Sequence, residues 1–193
     1  MKTLKENIVK IFARIVVYKT KKWANKPLKT QNRIFNYLIQ KGKTTSFGQD
    51  HDFKEIFNHK DFVKNVPVRD YEGLRPYFER AVQGEKNVLW PGKPLYFAKT
   101  SGTTSGVKYI PISKESMPTH VKGSRDAILH YINETGKAEF LNKKVIFLQG
   151  SPILEEINGI QIGRLSGIIA HHTPLYLKTN IMPRGETNCI EDW

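Results

Sequence analysis

The feature that most constrains this chain is a run of small polar residues between two segments that favour β-strands. The stretch PLYFAKTSGTTSGVKYIPIS covers residues 94–113, and its centre, 100–106, contains only threonine, serine and glycine. The flanking aromatic and β-branched residues favour strands, whereas glycine and serine favour turns. The sequence therefore predicts a β-hairpin over 94–113 with a polar loop between its strands. The alternative is a flexible linker of serine and glycine.

The polar loop carries the chemical groups that bind a polyphosphate. Glycines at 102 and 106 allow the backbone to approach an anion and to adopt conformations that other residues avoid. Lys108 follows the run and supplies a positive charge that can reach terminal phosphates. A linker has no need of that lysine or of strand-forming residues on both sides. The candidate phosphate-binding residues are Thr100, Ser101, Gly102, Thr103, Thr104, Ser105, Gly106 and Lys108.

Two common phosphate-binding patterns do not fit this loop. The P-loop of NTPases requires a Gly-Lys-Ser/Thr sequence that opens a helix, whereas Lys108 is followed by residues that favour a strand. The dinucleotide fingerprint requires glycines spaced as G-x-G-x-x-G, and here Gly102 and Gly106 are four apart. What remains is a loop between two paired strands that ends in a lysine.

The positive charge of the chain is concentrated at its start. The formal net charge is +13, and residues 1–29 carry nine basic groups and one acidic group, which gives +8 of that total. Leu4, Ile8, Ile11, Phe12 and Ile15 recur at helical spacing and are predicted to face inward. With a second helix over 30–40, we expect residues 1–42 to be helical and basic. Such a helix can bind anionic membranes or nucleic acid, but docking on its own protein is the preferred interpretation.

Other local signals predict a mixed α and β fold. Asp70 is a good N-cap and Gly84 a good stop for a helix within 66–84, and a helix from Ser113 to about Thr135 would end at Gly136. KVIFLQG, residues 144–150, is the best candidate for a buried strand. One cysteine, Cys189, excludes an internal disulfide framework and a cysteine-rich zinc site. Because no window approaches the length of a membrane span, we expect a soluble protein, and the single cysteine fits the reducing cytosol, so we expect it to be cytoplasmic.

Several segments, in the same order along the chain, resemble the auxin-responsive promoter family of acyl-acid amido synthetases. The resemblance runs from about Phe47 to Trp193 and includes TSGTTSGVK, which is similar to the phosphate loop of adenylate-forming enzymes. The other segments are DYEGLRPYFERAVQGE, NVLWPGKPLYFAK, IFLQGSP and GRLSGIIAHH. The resemblance implies an enzyme that uses ATP and Mg²⁺ to adenylate a carboxylic acid and then forms an amide with an amino acid. It also implies that residues 100–106 and Lys108 hold the β- and γ-phosphates of ATP.

The resemblance further implies that residues 1–193 are the N-terminal part of one large adenylating domain, with an incomplete sheet and flanking helices. We therefore expect the remainder of that domain and a small C-terminal domain to be missing, and the chain alone to be inactive. Asn188 and Glu191 have the spacing of a helix-opening pair, which also suggests a truncated chain. The alternative function is a non-catalytic basic module that binds phosphate of nucleic acid or membrane.

The loop departs from the family signature at two points. The family signature often ends in Gly-x-Pro-Lys, whereas this sequence has Ser105-Gly106-Val107-Lys108. Some plant members place the lysine one position later, where Tyr109 stands here. The adjacent His171 and His172 are interpreted as structural or solvent-facing, and the alternative is that one of them lines a pocket for the acid. The sequence contains no pair of carboxylates at helical spacing beside a pocket and no histidine–cysteine cluster that would suggest another chemistry.

Overall fold

The structure, a computed structural model, describes residues 4–100, 106–174 and 178–190. Five of the predicted loop residues (Ser101, Gly102, Thr103, Thr104 and Ser105) lie outside the described residues. The chain forms two compact units. The first unit comprises residues 1–27, 115–153 and 165–193, and the second comprises 28–114 and 154–164. Both helices and strands are present, so the predicted mixed α and β fold is confirmed.

The regular elements are numbered in chain order. The α-helices are α1 (Leu4–Ala24), α2 (Pro27–Gly42), α3 (Ser46–Asp50), α4 (His59–Asn65), α5 (Tyr71–Val82), α6 (Met117–Thr135) and α7 (Leu165–His172). The strands are β1 (Tyr96–Lys99), β2 (Tyr109–Ile112), β3 (Val145–Ile146), β4 (Glu155–Ile157), β5 (Ile160–Gly163) and β6 (Ile181–Met182). No helix in the described part of the chain has both the length and the apolar character that crossing a membrane requires.

The second unit contains a four-stranded sheet in the order β2-β1-β5-β4. Strands β1 and β2 pair antiparallel, with Tyr96 opposite Ile112 and Lys99 opposite Tyr109, so the predicted hairpin is confirmed. On its other edge β1 pairs in parallel with β5, and β5 pairs antiparallel with β4. The strand that precedes the polar loop is therefore central in the sheet, which fixes the position where the loop begins.

The core of the second unit lies between this sheet and α5. Phe97 of β1 and Ile162 of β5 are paired neighbours in the sheet, and both are completely buried. They form one cluster with Tyr77 and Ala81 of α5. Burial of side chains of this size contributes roughly 1.5–3 kcal/mol each to stability. The apolar core thus anchors α5 and β1, the strand from which the loop begins.

Helix α5 begins and ends where its local sequence predicts. Asp70 is the N-cap, and its side chain accepts a hydrogen bond from the backbone N–H of Gly73 at 2.8 Å. At the other end Gly84 has a φ of +90°, a conformation that favours glycine and stops a helix. Both predicted boundaries are confirmed, and the interior Pro76 is accommodated within the helix.

In the first unit α1 packs against α6, but not through the predicted face. Ala13 is completely buried and, with Val16, forms a cluster with Leu129 and Ile132 of α6. The residues predicted to face inward are between 42% and 77% exposed, and they are Leu4, Ile8, Ile11, Phe12 and Ile15. The predicted helix is confirmed, but the prediction of which face points inward was wrong. The helix has apolar residues on two faces, and the face with the smaller side chains lies against α6.

Of the two predicted boundaries of α6, the end is confirmed and the start is not. Gly136 follows the helix with a φ of +68°, as expected for a glycine stop. The helix begins at Met117, however, and Ser116 occupies the N-cap position, so the prediction that Ser113 opens it was wrong. Pro118 at the second helical position suits a helix start, because its missing N–H would have no helical partner there.

The predicted buried strand over 144–150 is short and exposed. Only Val145 and Ile146 form β3, which pairs in parallel with β6. Ile146 is 78% exposed and Leu148 is 82% exposed, so the prediction of burial was wrong. Within the described residues β3 has β6 as its single neighbour, and a two-stranded sheet offers little surface for covering apolar side chains.

Asn188 does not open a helix. It lies in the middle of a short 3₁₀ turn, Thr187–Cys189, and is buried. Glu186 occupies the N-cap position of that turn. The partner predicted for Asn188, Glu191, lies outside the described residues.

Candidate phosphate-binding site

The two ends of the polar loop are held together by hydrogen bonds between Thr100 and Lys108. The backbone N–H of Thr100 donates to the carbonyl oxygen of Lys108 at 3.0 Å. The backbone N–H of Lys108 lies 3.3 Å from the hydroxyl oxygen of Thr100, to which it donates a longer hydrogen bond. The structure therefore brings together two predicted site residues that are eight positions apart, and it closes the loop at its base.

Gly106 has the backbone conformation for which a glycine was predicted. Its φ is +79°, in the left-handed region that other residues rarely adopt. Apart from its chain neighbours, no described residue has an atom within 4 Å of the position that a Cβ would occupy, so the left-handed φ is what favours glycine here. Of the eight predicted residues, Thr100, Gly106 and Lys108 are thus described, and they lie at the ends of the loop.

The side chain of Lys108 lies over an aromatic ring. Its Nζ is 5.2 Å from the centroid of the Tyr71 ring, a distance typical of a cation–π contact. Tyr71 is the first residue of α5, and its hydroxyl accepts a hydrogen bond of 2.9 Å from the backbone N–H of Tyr109. Sequence reasoning did not identify Tyr71 as a site residue, because the segment around it indicated only the start of a helix.

The surroundings of Tyr109 show why position 108, and not position 109, suits a phosphate-binding lysine in this chain. Tyr109 packs against the core cluster of the second unit, with its ring 6.4 Å from that of Phe97 and nearly perpendicular to it. A lysine at position 109 would therefore point its charge into apolar surroundings, which is unfavourable. In this chain position 108 is the one that places an ammonium group outside that core.

Three other basic side chains of the second unit hold carboxylates. Lys99 forms an ion pair with Glu155, and Arg75 forms one with Glu72 at 2.6 Å. Arg80 binds Glu85 through two hydrogen bonds, which lower the pKa of that carboxyl group below its ordinary value. Lys108 has no acidic partner among the described residues, so its charge is available for an anionic ligand there.

A separate cavity of about 530 Å³ lies in the first unit, next to the end of α7. Its walls include Pro152, Ala170, Ile181 and Pro183, with the cationic side chains Lys178 and Arg184. His171 also lines the cavity, and its Nε2 donates a hydrogen bond of 2.7 Å to the carbonyl oxygen of Pro152. Within the part of the chain that the structure describes, no group of three or more His, Cys, Asp or Glu side chains could hold a metal ion.

A comparison with protein families decides the assignment. The GH3 family N-terminal domain matches residues 17–191. The chain belongs to the GH3 family. Its resemblance to the auxin-responsive acyl-acid amido synthetases is thereby confirmed, and the match includes the hairpin and its polar loop.

Individual relatives of this GH3 chain are amido synthetases of a plant. The chain is 30% identical over 140 residues to "Indole-3-acetic acid-amido synthetase GH3.15" of Arabidopsis thaliana, which covers 68% of this chain and 23% of the relative. It is 26% identical over 93 residues to "Indole-3-acetic acid-amido synthetase GH3.2" of the same plant, covering 47% of this chain and 17% of the relative. The chain thus spans about a quarter or less of the length of these relatives.

Solved structures show the same fold. The "GH3.15 acyl acid amido synthetase" superposes with a TM-score of 0.66 at 20% identity, over 75% of this chain and 26% of that one. The structure of "AtGH3.15 acyl acid amido synthetase in complex with 2,4-DB" gives a TM-score of 0.65 at 20% identity, over 83% of this chain and 28% of that one. The fold of this chain is therefore that of part of an acyl acid amido synthetase.

Proposed function

We propose that this chain binds the phosphates of ATP for an acid–amino acid ligase, which activates a carboxylic acid and joins it to an amino acid. The observation that carries the proposal is the closed hairpin loop: Thr100 and Lys108 meet at its base, and Gly106 has a left-handed backbone conformation. Family membership supports the reaction class. Because the chain spans about a quarter of the length of its relatives, its proposed share of the reaction is phosphate binding.

The residues of the loop fit a triphosphate. Lys108 supplies a charge that no described carboxylate neutralises, and the hydroxyls of 100–105 with the N–H groups of Gly102 and Gly106 are proposed as further donors to the β- and γ-phosphates. When bound, ATP supplies the activated phosphorus that the carboxylate of the acid attacks. Donors already in place stabilise the charge that develops on the leaving pyrophosphate. Mg²⁺ is proposed to arrive with the phosphates, since the described residues contain no cluster of metal-ligating side chains.

The test is acid-dependent exchange between ATP and pyrophosphate in the protein expressed from the longest reading frame that contains this chain. Lys108→Ala removes a charge that contacts the departing pyrophosphate, and we expect it to cost roughly 2–4 kcal/mol of transition-state stabilisation. Lys108→Arg is the matched control, because it keeps the charge. Gly102→Val should be at least as harmful, since a branched side chain hinders the approach of the backbone to the phosphates.

The outcomes separate the loop from its lysine. Brisk exchange in Lys108→Ala, at the rate of the unaltered protein, would show that Lys108 is not the phosphate lysine. Unchanged exchange in Gly102→Val as well would mean that the loop is only a linker, and the proposed function would then be wrong.

For the acid we propose the cavity next to α7, on the basis of its composition alone. Apolar walls with a few cationic groups suit a small hydrophobic carboxylic acid. Ala170→Leu should narrow this cavity and shift the preference of the exchange reaction toward smaller acids, while leaving the binding of ATP unchanged. Equal preference across a panel of acids would contradict this assignment and leave the phosphate site untouched.

A further inference from the structure

Tyr71 contacts two consecutive residues at the point where the chain leaves the polar loop. Its hydroxyl accepts a hydrogen bond of 2.9 Å from the backbone N–H of Tyr109, and its ring lies 5.2 Å from the Nζ of Lys108. The hydrogen bond joins residues 38 positions apart in the chain. One side chain therefore holds both the backbone of the strand and the cation next to it.

Tyr71 is itself fixed by its own helix. Its ring stacks on the ring of Phe78, with centroids 4.9 Å apart and an interplanar angle of 24°. The two residues are seven apart and hence lie on the same face of α5. The start of the helix is held in turn by the Asp70 cap. A side chain anchored in this way can impose its position on a flexible lysine.

We propose that Tyr71 is a positioning residue for Lys108, which holds the ammonium group near the base of the loop before a polyphosphate binds. The inference rests on the proposed phosphate-binding function of the loop. A lysine side chain that is free in water loses rotamer freedom when it binds a ligand, and this loss weakens binding. Contact with the Tyr71 ring restricts those rotamers in advance. The hydroxyl contributes separately, since it fixes the backbone from which the Lys108 side chain extends.

The first measurement tests the contact without any ligand. Aromatic ring currents shift the resonances of protons that lie over the ring, so the ε-CH₂ protons of Lys108 should resonate upfield of ordinary lysine values in the NMR spectrum of the full chain. The shift should persist in Tyr71→Phe, which keeps the ring, and disappear in Tyr71→Leu. Lys99, which pairs with Glu155, is the internal control and should be unaffected. Absence of the shift in the unaltered chain would overturn the inference.

The second measurement is a double-mutant cycle between Tyr71 and Lys108. Isothermal titration calorimetry measures how tightly each variant binds inorganic pyrophosphate and Mg·ATP. We expect Tyr71→Leu to weaken binding about 3- to 10-fold when Lys108 is present. In the Lys108→Ala background the same change should have almost no effect, because the group that Tyr71 positions is gone. Thermal melting of each variant identifies loss of folding, and Tyr71→Phe, which keeps the ring and the fold, should retain most of the binding.

The possible results distinguish this inference from the function on which it rests. If Lys108→Ala binds pyrophosphate as tightly as the unaltered chain, the proposed function of the loop is wrong and the inference falls with it. If Lys108→Ala weakens binding and Tyr71→Leu weakens it equally in both backgrounds, the loop function stands. Tyr71 would then be a structural residue only, and the inference would be overturned.

Discussion

Tyr77 of α5 is a buried aromatic residue whose hydroxyl group stays paired. Its ring packs edge-on against Phe47, and its hydroxyl donates a hydrogen bond of 2.7 Å to the carboxylate of Asp50. Burial, together with the negative charge of Asp50, raises the pKa of Tyr77 above its ordinary value of 10.0. The folded chain therefore keeps this proton at a pH at which the unfolded chain begins to lose it.

This shift predicts how stability changes at high pH. A pKa that is raised in the folded state contributes stability that is complete below pH 10 and is lost as the pH rises through the folded-state value. We expect the free energy of unfolding to fall above pH 10, and to fall less steeply in Tyr77→Phe. The variant should also lose about 0.5–1.5 kcal/mol at pH 7 with its hydrogen bond. Urea denaturation at pH 7 and between about pH 9 and 11 measures both effects.

The control for this experiment is Tyr18→Phe. Tyr18 is 69% exposed on α1, so its substitution should change neither the stability at pH 7 nor the slope above pH 10. Equal slopes for Tyr77→Phe and the unaltered chain would show that Tyr77 does not carry the effect.

Two helical glycines offer a matched test of how tightly elements pack. A Cβ on Gly167 of α7 would lie 2.2 Å from the carbonyl oxygen of Ser151, whereas a Cβ on Gly123 of α6 would meet no atom of the described residues within 4 Å beyond its own helix backbone. We expect Gly123→Ala to stabilise the chain by about 0.5–1 kcal/mol, because alanine favours a helix interior. Gly167→Ala should destabilise it by roughly 1–3 kcal/mol through overpacking. Urea denaturation compares the two, and the same sign for both would contradict the packing around α7.

Placing a charged residue on each face of α1 tests which face is buried. Ala13 is completely buried against α6, whereas Ile11 on the other side of the helix is 58% exposed. We expect Ala13→Asp to destabilise the chain by about 3 kcal/mol or more, since a buried charge would lack a partner. Ile11→Asp should stay within about 0.5 kcal/mol of the unaltered chain. A larger loss of stability in Ile11→Asp than in Ala13→Asp would contradict this assignment and show that the face predicted from the sequence is the buried one.

The elements show why some features could be predicted from the sequence and others not. The Asp70 cap, the Gly136 stop and the hairpin depend on residues close together in the chain, and all three were predicted correctly. The inward face of α1 depends on which helix packs against it, and hydrophobic spacing alone favoured the larger side chains. Burial of 144–150 likewise depends on neighbouring strands, which an apolar run does not specify.

In the candidate site, too, the residues defined by a local pattern could be predicted from the sequence, and the residue defined by long-range contacts could not. Its glycines and lysine formed a recognisable local pattern, and the left-handed conformation of Gly106 agrees with the use of glycine there. Tyr71 could not be identified, because its contacts are with residues 37 and 38 positions later, which the hairpin brings to the start of α5. Long-range partners of this kind have no signature in a single sequence.

At the scale of the whole molecule, two readings of its positive charge make different predictions. The net charge of +13 is concentrated in residues 1–29, whereas the family match begins at residue 17 and includes the loop. A phosphate site in the loop depends on Lys108 and a few glycines and hydroxyls. A general basic surface depends instead on many lysines, and its binding falls steeply with salt.

Ligand-induced stabilisation separates these readings. A ligand that binds only the folded chain stabilises it by RT ln(1 + [L]/Kd), which is about 2.7 kcal/mol at a concentration of 100 times Kd. For a chain of this size we expect Mg·ATP to raise the melting temperature by roughly 5–10 °C. Adenosine, which has no phosphate, should have no effect, and Lys108→Ala should remove most of the shift. Differential scanning calorimetry at two salt concentrations provides the measurement.

The contrary outcome is a larger shift with a single-stranded oligonucleotide, which substitution of Lys21 and Lys22 by glutamine abolishes. The chain would then be a basic phosphate-binding module, because binding would depend on the overall positive charge and not on the loop.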